Sequence, residues 1–205
     1  MDASPTPQQE RSEATRGQLI ATARRLFAER GYADVGTEEI VRAAGVTRGA
    51  LYHHFESKRE LLAAVHEQIE RELTERIATQ AFSGEDAPGD PIAALHRGAE
   101  LFLDACLEPE VQRIVLLDAP AVLGWERWRE VASRYGLGLI EATLKAAVEA
   151  GSISSEPVRP LAHVLMGALD EAAMYVARAD DREVARKEMG ATVARILDAL
   201  VAESA

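Results

Sequence analysis

The residues best suited to chemistry lie between positions 37 and 58, and the chemistry that they suit is DNA binding. Hydroxyl groups and an ammonium group occur there close to predicted helix starts, whose backbone N–H groups also attract phosphate. The two threonines are each expected to cap a helix. Hydrogen bonds to DNA phosphates are predicted from four side chains: Thr37, Thr47, Tyr52 and Lys58.

A second group in the same segment is predicted to meet the bases. Arg48 and His53 project from the exposed face of a predicted helix and can donate hydrogen bonds to the N7 or O6 atoms of purines. Gly49 and Ala50 are small, so they allow the helix backbone to approach the groove closely. These four residues, together with the phosphate-binding set, form the candidate DNA-binding surface.

A helix–turn–helix pattern explains how residues 37–55, TEEIVRAAGVTRGALYHHF, would hold these side chains on one surface. A short helix with a buried face around Ile40 ends at Gly45, which lets the chain reverse where a Cβ atom would clash. Leu51 and Phe55 lie four residues apart and would anchor the second helix inward. The second helix is then free to enter the major groove.

No catalytic or metal-binding constellation accompanies this motif. Cys106 has no sequence neighbour that would activate it as a nucleophile. The adjacent His53 and His54 diverge by about 100° on a helix, so they cannot chelate one metal ion well. The glycines match neither a P-loop nor a dinucleotide-binding fingerprint. We therefore expect no enzymatic activity, no cofactor and no metal.

The composition indicates an intracellular protein without disulfides. The chain has 205 residues, of which 47% are hydrophobic and one is cysteine, so no internal disulfide can form. It lacks a run of about 18 apolar residues and an apolar leader at its N-terminus, so neither a membrane span nor a secretory signal is predicted. We expect a soluble protein located in the cytoplasm.

The net charge of −11 argues against a nucleic-acid partner only if the charge is spread evenly. Residues 11–66 carry nine basic and seven acidic side chains, a net charge of +2. The rest of the chain carries 14 basic and 27 acidic side chains, a net charge of −13. The segment with the DNA-binding pattern is thus mildly basic, and the acidity lies elsewhere.

Helical periodicity runs through the chain and strand signals are nearly absent, which predicts an all-α fold of about nine helices. The first helix is expected at about residues 15–30, behind a disordered arm over residues 1–12. A long fourth helix would follow a capping box at Ser57 and reach about Gln80, before a linker at 83–91. Breaks are expected at Pro120 and Gly151, and the later helices near residues 92–107, 110–118, 124–150, 158–178 and 182–203.

Over about residues 15–65 the sequence closely resembles the DNA-binding domain of the TetR family of transcriptional regulators. The matching pieces are ARRLFAERGY, the turn IVRAAGV, the recognition helix TRGALYHHF and the segment FESKRELL. The last two together are highly specific for this family. The remaining residues match it only generically, as a helical domain that senses ligands and dimerises.

The resemblance implies a three-helix DNA-binding domain over residues 13–60, joined by the long fourth helix to a larger effector-binding and dimerisation domain over residues 61–205. It implies a homodimer whose two recognition helices enter successive major grooves of a palindromic operator, about 34–36 Å apart. It further implies a repressor that a small-molecule effector releases from DNA by moving the fourth helix.

Large side chains of the C-terminal half are candidates for the wall of an effector pocket. The alternative is that each of them only fills the core, as aromatic and methionine side chains at helical spacing commonly do. The candidate pocket residues are Phe102, Cys106, Leu116, Trp125, Trp128, Tyr135, His163 and Met166.

Two apolar stripes on the last two helices are candidates for the dimer interface, where small residues would allow close packing across a two-fold axis. The alternative is that the stripes close the core of a single chain. The candidate interface residues are Leu161, Leu165, Ala168, Leu169, Ala172, Val193, Ile196, Leu197 and Leu200.

A function of another class remains open from the sequence. An all-helical protein-binding or ligand-binding module without operator regulation would also fit the acidic C-terminal domain. An all-helical enzyme fits poorly, because no catalytic constellation supports it.

Overall fold

The computed structural model describes residues 6–83, 89–154 and 157–201, and the secondary structure in these ranges is helical. Nine α-helices occur among the described residues, and no strand does, which confirms the predicted all-α class. The N-terminal part holds α1 (Pro7–Arg30), α2 (Thr37–Ala43), α3 (Arg48–His54) and α4 (Lys58–Ala78). The remainder holds π1 (Thr79–Ser83), α5 (Pro91–Ala105), π2 (Val111–Asp118), α6 (Ala119–Leu123), α7 (Trp125–Glu149), α8 (Val158–Arg178) and α9 (Arg182–Asp198).

The first helix begins earlier than expected. Thr6 accepts a hydrogen bond from the backbone N–H of Gln9, and the Gln9 side chain accepts one from the backbone N–H of Thr6. This reciprocal capping box, with Pro7 at the first helical position, starts the helix there. The predicted disordered arm is therefore wrong for residues 7–12, and residues 1–5 lie outside the described residues.

The caps of the next three helices are partly as predicted. Thr47 caps α3, because its hydroxyl accepts the N–H of Ala50 at 3.1 Å, and Ser57 caps α4 in the same way. The predicted cap of α2 at Thr37 is wrong. The cap residue is Gly36, which has no side chain to offer, and Thr37 is the first helical residue.

The turn between α2 and α3 depends on Gly45, whose φ is +64°. The N–H of Gly45 donates to the carbonyl of Arg42 at 3.2 Å, and the N–H of Val46 donates to the carbonyl of Val41 at 3.1 Å. This pair of bonds is a Schellman motif, which satisfies the last carbonyls of α2 and turns the chain toward α3.

The core of the N-terminal helices continues into the rest of the molecule. Phe27, Ile40 and Leu51 from α1, α2 and α3 are fully buried, together with Leu62 of α4. The same apolar cluster extends to Trp128 of α7. Helix α4 is thus packed between the first three helices and the C-terminal ones.

In the C-terminal part, α5, α7, α8 and α9 pack around a second apolar cluster. The predicted break at Pro120 is wrong, because α6 continues directly from π2 and includes this proline. The chain breaks instead at Gly124, with φ of +83°. The core of the predicted linker, residues 84–88, lies outside the described residues. In the described ranges no helix is both long and apolar enough to cross a membrane.

Gly45→Ala is expected to lower the free energy of unfolding by about 1–2 kcal/mol, since an L residue in the left-handed region is strained by that amount. The control is Gly17→Ala in α1, an exposed helical position with open space around it. There the substitution should raise stability by up to about 1 kcal/mol. Urea denaturation of both variants measures the two effects, and a shift of the same sign in both would contradict this account of the turn.

Candidate nucleic-acid interface

Helix α3 is held so that one of its faces is free. Leu51 and Phe55 are buried against the N-terminal core, and the Thr47 cap fixes the start of the helix. On the opposite face, Arg48, Tyr52 and His53 are exposed. The structure therefore brings these predicted DNA-binding side chains together on one accessible surface.

Two further residues of that set lie in the first turn of the same helix. Gly49 is exposed and Ala50 is half-buried, and neither carries a bulky side chain that would cover the backbone at these two positions. Thr37 lies apart, at the start of α2, where it is half-buried. Its hydroxyl does not cap α2, because the cap position is Gly36.

The guanidinium of Arg48 has a partner within the protein. It lies 2.8 Å from a carboxylate oxygen of Glu38 in α2, and both side chains are about two-thirds exposed. It also lies over the ring of Tyr52, 5.6 Å from the centroid. An exposed ion pair of this kind is weak. It orients the arginine, and the side chain can still leave Glu38 to bind another group.

Lys58 is placed differently from the other predicted phosphate contacts. Its ammonium donates to the backbone carbonyl of Tyr32 at 2.5 Å and lies 3.9 Å from the centroid of the Tyr32 ring. Burial lowers the pKa of Lys58. One of the three N–H donors is thus used inside the protein, and two remain.

Arg16 is a cation at this surface that the sequence pattern does not reveal. Its guanidinium lies 5.4 Å from the centroid of the Phe55 ring, beyond the C-terminal end of α3, and it is exposed. Burial, followed by the charges of His53 and Arg16, lowers the pKa of His54. Arg16 lies far from α3 in sequence, so no spacing pattern connects the two.

Hydrogen bonds tie the DNA-binding helices to the C-terminal part. The backbone N–H of Tyr32 donates to the carboxylate of Asp118 in π2 at 2.8 Å. Arg59 in the first turn of α4 donates to the carbonyl of Leu123 at the end of α6, also at 2.8 Å. The first bond joins the segment after α1 to the end of π2, and the second joins the start of α4 to the end of α6.

Ion pairs add to these contacts between the two parts. Arg24 of α1 pairs with Glu72 of α4 at 2.6 Å and with Glu110 just before π2 at 2.7 Å. Glu60 of α4 receives two hydrogen bonds from Arg127 of α7, both at 2.6 Å, which lower the pKa of this carboxylate. A displacement of π2 or α7 therefore acts on the segments that carry α3.

A cavity of about 110 Å³ lies in the C-terminal part, between α4, α5, π2, α7, α8 and α9. Its wall is mostly apolar. Half of the candidate pocket residues line it, namely Phe102, Leu116, Trp128 and Met166. The indole N–H of Trp128 donates to the carbonyl of Val115 at 2.8 Å, so this large side chain is fixed in the wall.

The other four candidates do not line the cavity, so their prediction as pocket residues is wrong. Cys106 is buried and its thiol donates to the carbonyl of Phe102, while burial raises its pKa. Trp125 and His163 face solvent. Tyr135 points to the surface, where its hydroxyl donates to Glu67 at 2.9 Å.

The cavity wall also holds polar groups that are absent from the predicted pocket set. Glu70 of α4 and Asp170 of α8 line the cavity and are buried, together with the half-buried Thr74. Asp170 pairs with Arg129 of α7, and burial raises its pKa to about 7. The sequence could have indicated Asp170 as a pocket residue, because it is the one acidic residue in the apolar run LAHVLMGALD of α8.

Four of the nine candidate dimer residues lie inside the chain. Leu165, Ala172, Val193 and Leu197 are buried, so they belong to the core of a single chain and the interface prediction is wrong for them. Leu161, Ala168, Leu169 and Leu200 are half-buried, and Ile196 is exposed. The same stripe of α8 and α9 lines the cavity through Leu165, Ala168, Leu169, Val193, Ile196 and Leu197.

No group of three or more potential metal ligands occurs among the residues that the structure describes. The arrangement of α3 is suited to binding rather than to covalent chemistry. Its exposed cation, phenol and imidazole can donate hydrogen bonds to a polyanion, and the cap of α3 presents free backbone N–H groups nearby.

Comparison with known proteins agrees with this geometry. Residues 19–65 match the family model described as bacterial regulatory proteins, tetR family, and residues 92–200 match that of the tetracyclin repressor-like, C-terminal domain. A crystal structure of a TetR-family transcriptional regulator from Pectobacterium atrosepticum is 34% identical, with a TM-score of 0.84. The match covers 98% of this chain and 100% of that one.

Two more distant proteins extend the comparison. The Transposon Tn10 TetC protein of Escherichia coli is 29% identical over 164 residues, which cover 78% of this chain and 79% of TetC. The crystal structure of RolR in complex with the ligand resorcinol is 24% identical, with a TM-score of 0.71, and the match covers 96% of this chain and 99% of RolR. The RolR likeness concerns the fold alone. With both of its domains matched, this chain belongs to the TetR family of bacterial transcriptional regulators.

Proposed function

We propose that the protein is a ligand-responsive repressor that binds a palindromic operator as a homodimer and leaves it when a small molecule binds. The observation that carries this proposal is the exposed face of α3, where Arg48, Tyr52 and His53 are accessible to solvent while Leu51 and Phe55 hold the helix in place. Such a helix can enter the major groove without any rearrangement of its own core.

Each part of the surface has a proposed role. Arg48 and His53 contact base edges, since both carry donors for purine N7 and O6. Thr37, Thr47, Tyr52 and Lys58 contact phosphates. Gly49 and Ala50 allow the backbone of α3 to approach the groove, because neither has a long side chain.

A dimer interface is proposed on the outer faces of α8 and α9. Val164 and Tyr175 of α8 are large and exposed, and they lie 11 residues apart, close to three helical turns, so they share one face. On α9, Val184 is also large and exposed. Large apolar side chains in solvent on adjacent helices are typical of a surface that another protein covers.

The proposed release follows from the walls of the cavity. Glu70, Leu73 and Ile77 of α4 line it, and so do Val111 and Leu116 of π2. Because α4 begins directly after α3, and π2 holds the N–H of Tyr32 through its own carboxylate, a ligand that shifts either wall moves the DNA-binding helices. The spacing of the two α3 helices in a dimer then no longer fits the operator.

RolR, which shares this fold, was crystallised in complex with the ligand resorcinol. A small organic effector is therefore a reasonable kind of ligand for the cavity of this chain. The effector-free protein should retard DNA from upstream of its own gene in a mobility-shift assay. No retardation at any salt concentration would favour a helical binding module without operator regulation.

Arg48→Ala is expected to reduce the affinity for the operator by about 5- to 150-fold, the range for a lost bidentate contact to guanine, with less effect on unrelated DNA. The matched variant is Glu38→Gln, which frees the arginine from its ion pair and should raise affinity for both DNAs by up to about fivefold. Fluorescence anisotropy with operator and scrambled duplexes measures both effects. Equal losses on the two duplexes would contradict base recognition by Arg48.

Lys58→Ala is expected to weaken binding to operator and unrelated DNA alike. Loss of one phosphate contact should make the slope of log K against log salt shallower by about 0.9. A circular-dichroism melt monitors the separate loss of the bond to Tyr32. A lower melting temperature with an unchanged salt slope would show that Lys58 only stabilises the fold.

Val164→Asp is expected to raise the dimer dissociation constant by a factor of about 100 or more, because an unpaired charge would be buried in the interface. Operator affinity should fall with it. The control is Leu117→Asp, which places the same charge at an exposed apolar position on π2, an element outside the proposed interface. Sedimentation equilibrium distinguishes the outcomes, and a Val164→Asp protein that dimerises like the wild type would refute this interface.

A further inference from the structure

We propose that the effector is a small apolar molecule that carries a protonated amine or a comparable cation, bound where Glu70 and Asp170 face the cavity. The term effector rests on the proposed function, whereas binding of such a molecule to the cavity does not.

The size of the cavity limits the ligand. Its volume of about 110 Å³ is slightly smaller than an engineered cavity of about 150 Å³ that binds benzene. The wall is built mostly from aliphatic and aromatic side chains, among them Leu73, Phe102 and Trp128. A single ring or a short branched chain is therefore the largest apolar part that we expect, with one polar group directed at the acidic end.

The charges of the wall select the sign of that polar group. Among the described residues, the ionisable side chains that line the cavity are both acidic, Glu70 and Asp170. The other polar side-chain groups of the wall are the hydroxyl of Thr74 and the indole N–H of Trp128, which already donates to Val115. No basic side chain lines the cavity in this part of the chain. A carboxylate ligand would meet like charge there, and a cation would meet opposite charge.

Glu70 in particular lacks a strong partner within the described residues. Asp170 has Arg129, which pairs with it from α7. Glu70 is nine-tenths buried, and the nearest basic group is the Nε2 atom of His66, 3.4 Å from its Oε1 atom. That histidine is itself fully buried, and neither of its ring nitrogens has a hydrogen-bond partner in the residues described. An N–H group on the ligand would supply the donor that Glu70 lacks.

The arrangement also makes the affinity for a cation depend on pH. Three groups from other helices lie near Asp170 of α8: Arg129 of α7, Glu70 of α4 and the thiol of Cys106 at the end of α5. His66 lies beside Glu70 on α4. Burial raises the pKa of Asp170 to about 7, Arg129 opposes this shift, and Glu70 adds to it. A bound cation favours the ionised carboxylate, so its affinity should increase as the pH rises through about 7 and decrease below it.

The test compares three probes of similar shape by isothermal titration calorimetry on the full-length protein without DNA: benzylamine, benzyl alcohol and benzoate. At about pH 8 the amine is protonated. We expect benzylamine to bind at least about tenfold more tightly than benzyl alcohol, and benzoate to give no measurable binding. Lowering the pH to about 6 should weaken the binding of benzylamine without changing that of benzyl alcohol.

Two variants locate the acidic end. Glu70→Gln keeps the shape of the side chain and should remove most of the preference for benzylamine over benzyl alcohol, and Asp170→Asn should reduce it. Glu67→Gln is the matched control, since Glu67 lies one turn earlier on α4 but bonds to Arg134 and Tyr135 on the surface. It should keep the full preference. Circular-dichroism melts establish that each variant is folded.

The wild-type comparison stands even if a variant does not fold. Tighter binding of benzoate, equal binding of all three probes, or no binding by any of them at millimolar concentration would overturn the proposal. An unchanged preference in a folded Glu70→Gln protein would do the same. If benzylamine binds as expected but does not release operator DNA in a mobility shift, the cavity inference stands and the proposed release fails.

Discussion

The structure depends on one helix, α4, which packs against the N-terminal helices and also forms a wall of the cavity. Helix α4 has 21 residues, about 32 Å of rigid rod, and its buried residues occur along its whole length. Its first turns are buried against α1, through residues such as Leu62 and Val65. Its later turns form a wall of the cavity, through Leu73 and Ile77. Because protein interiors are closely packed, a change of contact at one end cannot be absorbed along the way.

The π2 segment also contacts both the cavity and the N-terminal part, over a shorter distance than α4 does. In π2, Val115 and Leu116 face the cavity, while Asp118 at its end accepts the N–H of Tyr32. The hydrogen bond from the N–H of Ala119 to the carbonyl of Ile114 spans five residues rather than four, as in a π-helix. Wide turns of this kind are rare and are found frequently at functional sites. The DNA-binding helices are thus attached at two places to the walls of the same cavity.

The exposed face of α3 could be predicted from the sequence, whereas only half of the predicted pocket residues line the cavity. In α3 the cap, the inward anchors and the outward face are separated by a few residues, so local spacing contains the geometry. Trp125 and Trp128 are also close in sequence, but one is exposed and the other lies in the wall, because α7 begins at Trp125 and only its next turn is covered. Which stripe of α8 or α9 faces inward depends on the neighbouring helices, which a single sequence does not show. At the N-terminus the composition favours disorder, and the capping box at Thr6 outweighs it in the structure.

The separation of charge along the chain also affects how the protein would meet DNA in solution. A molecule with net +2 in residues 11–66 and net −13 elsewhere has a large electric dipole. In the field of a duplex, a torque acts on such a dipole before any contact is made, and it turns the acidic body away from the phosphates. Rotational alignment would then precede docking. An encounter that begins with the wrong face would be repelled rather than trapped, which shortens unproductive contacts during the search for a binding sequence.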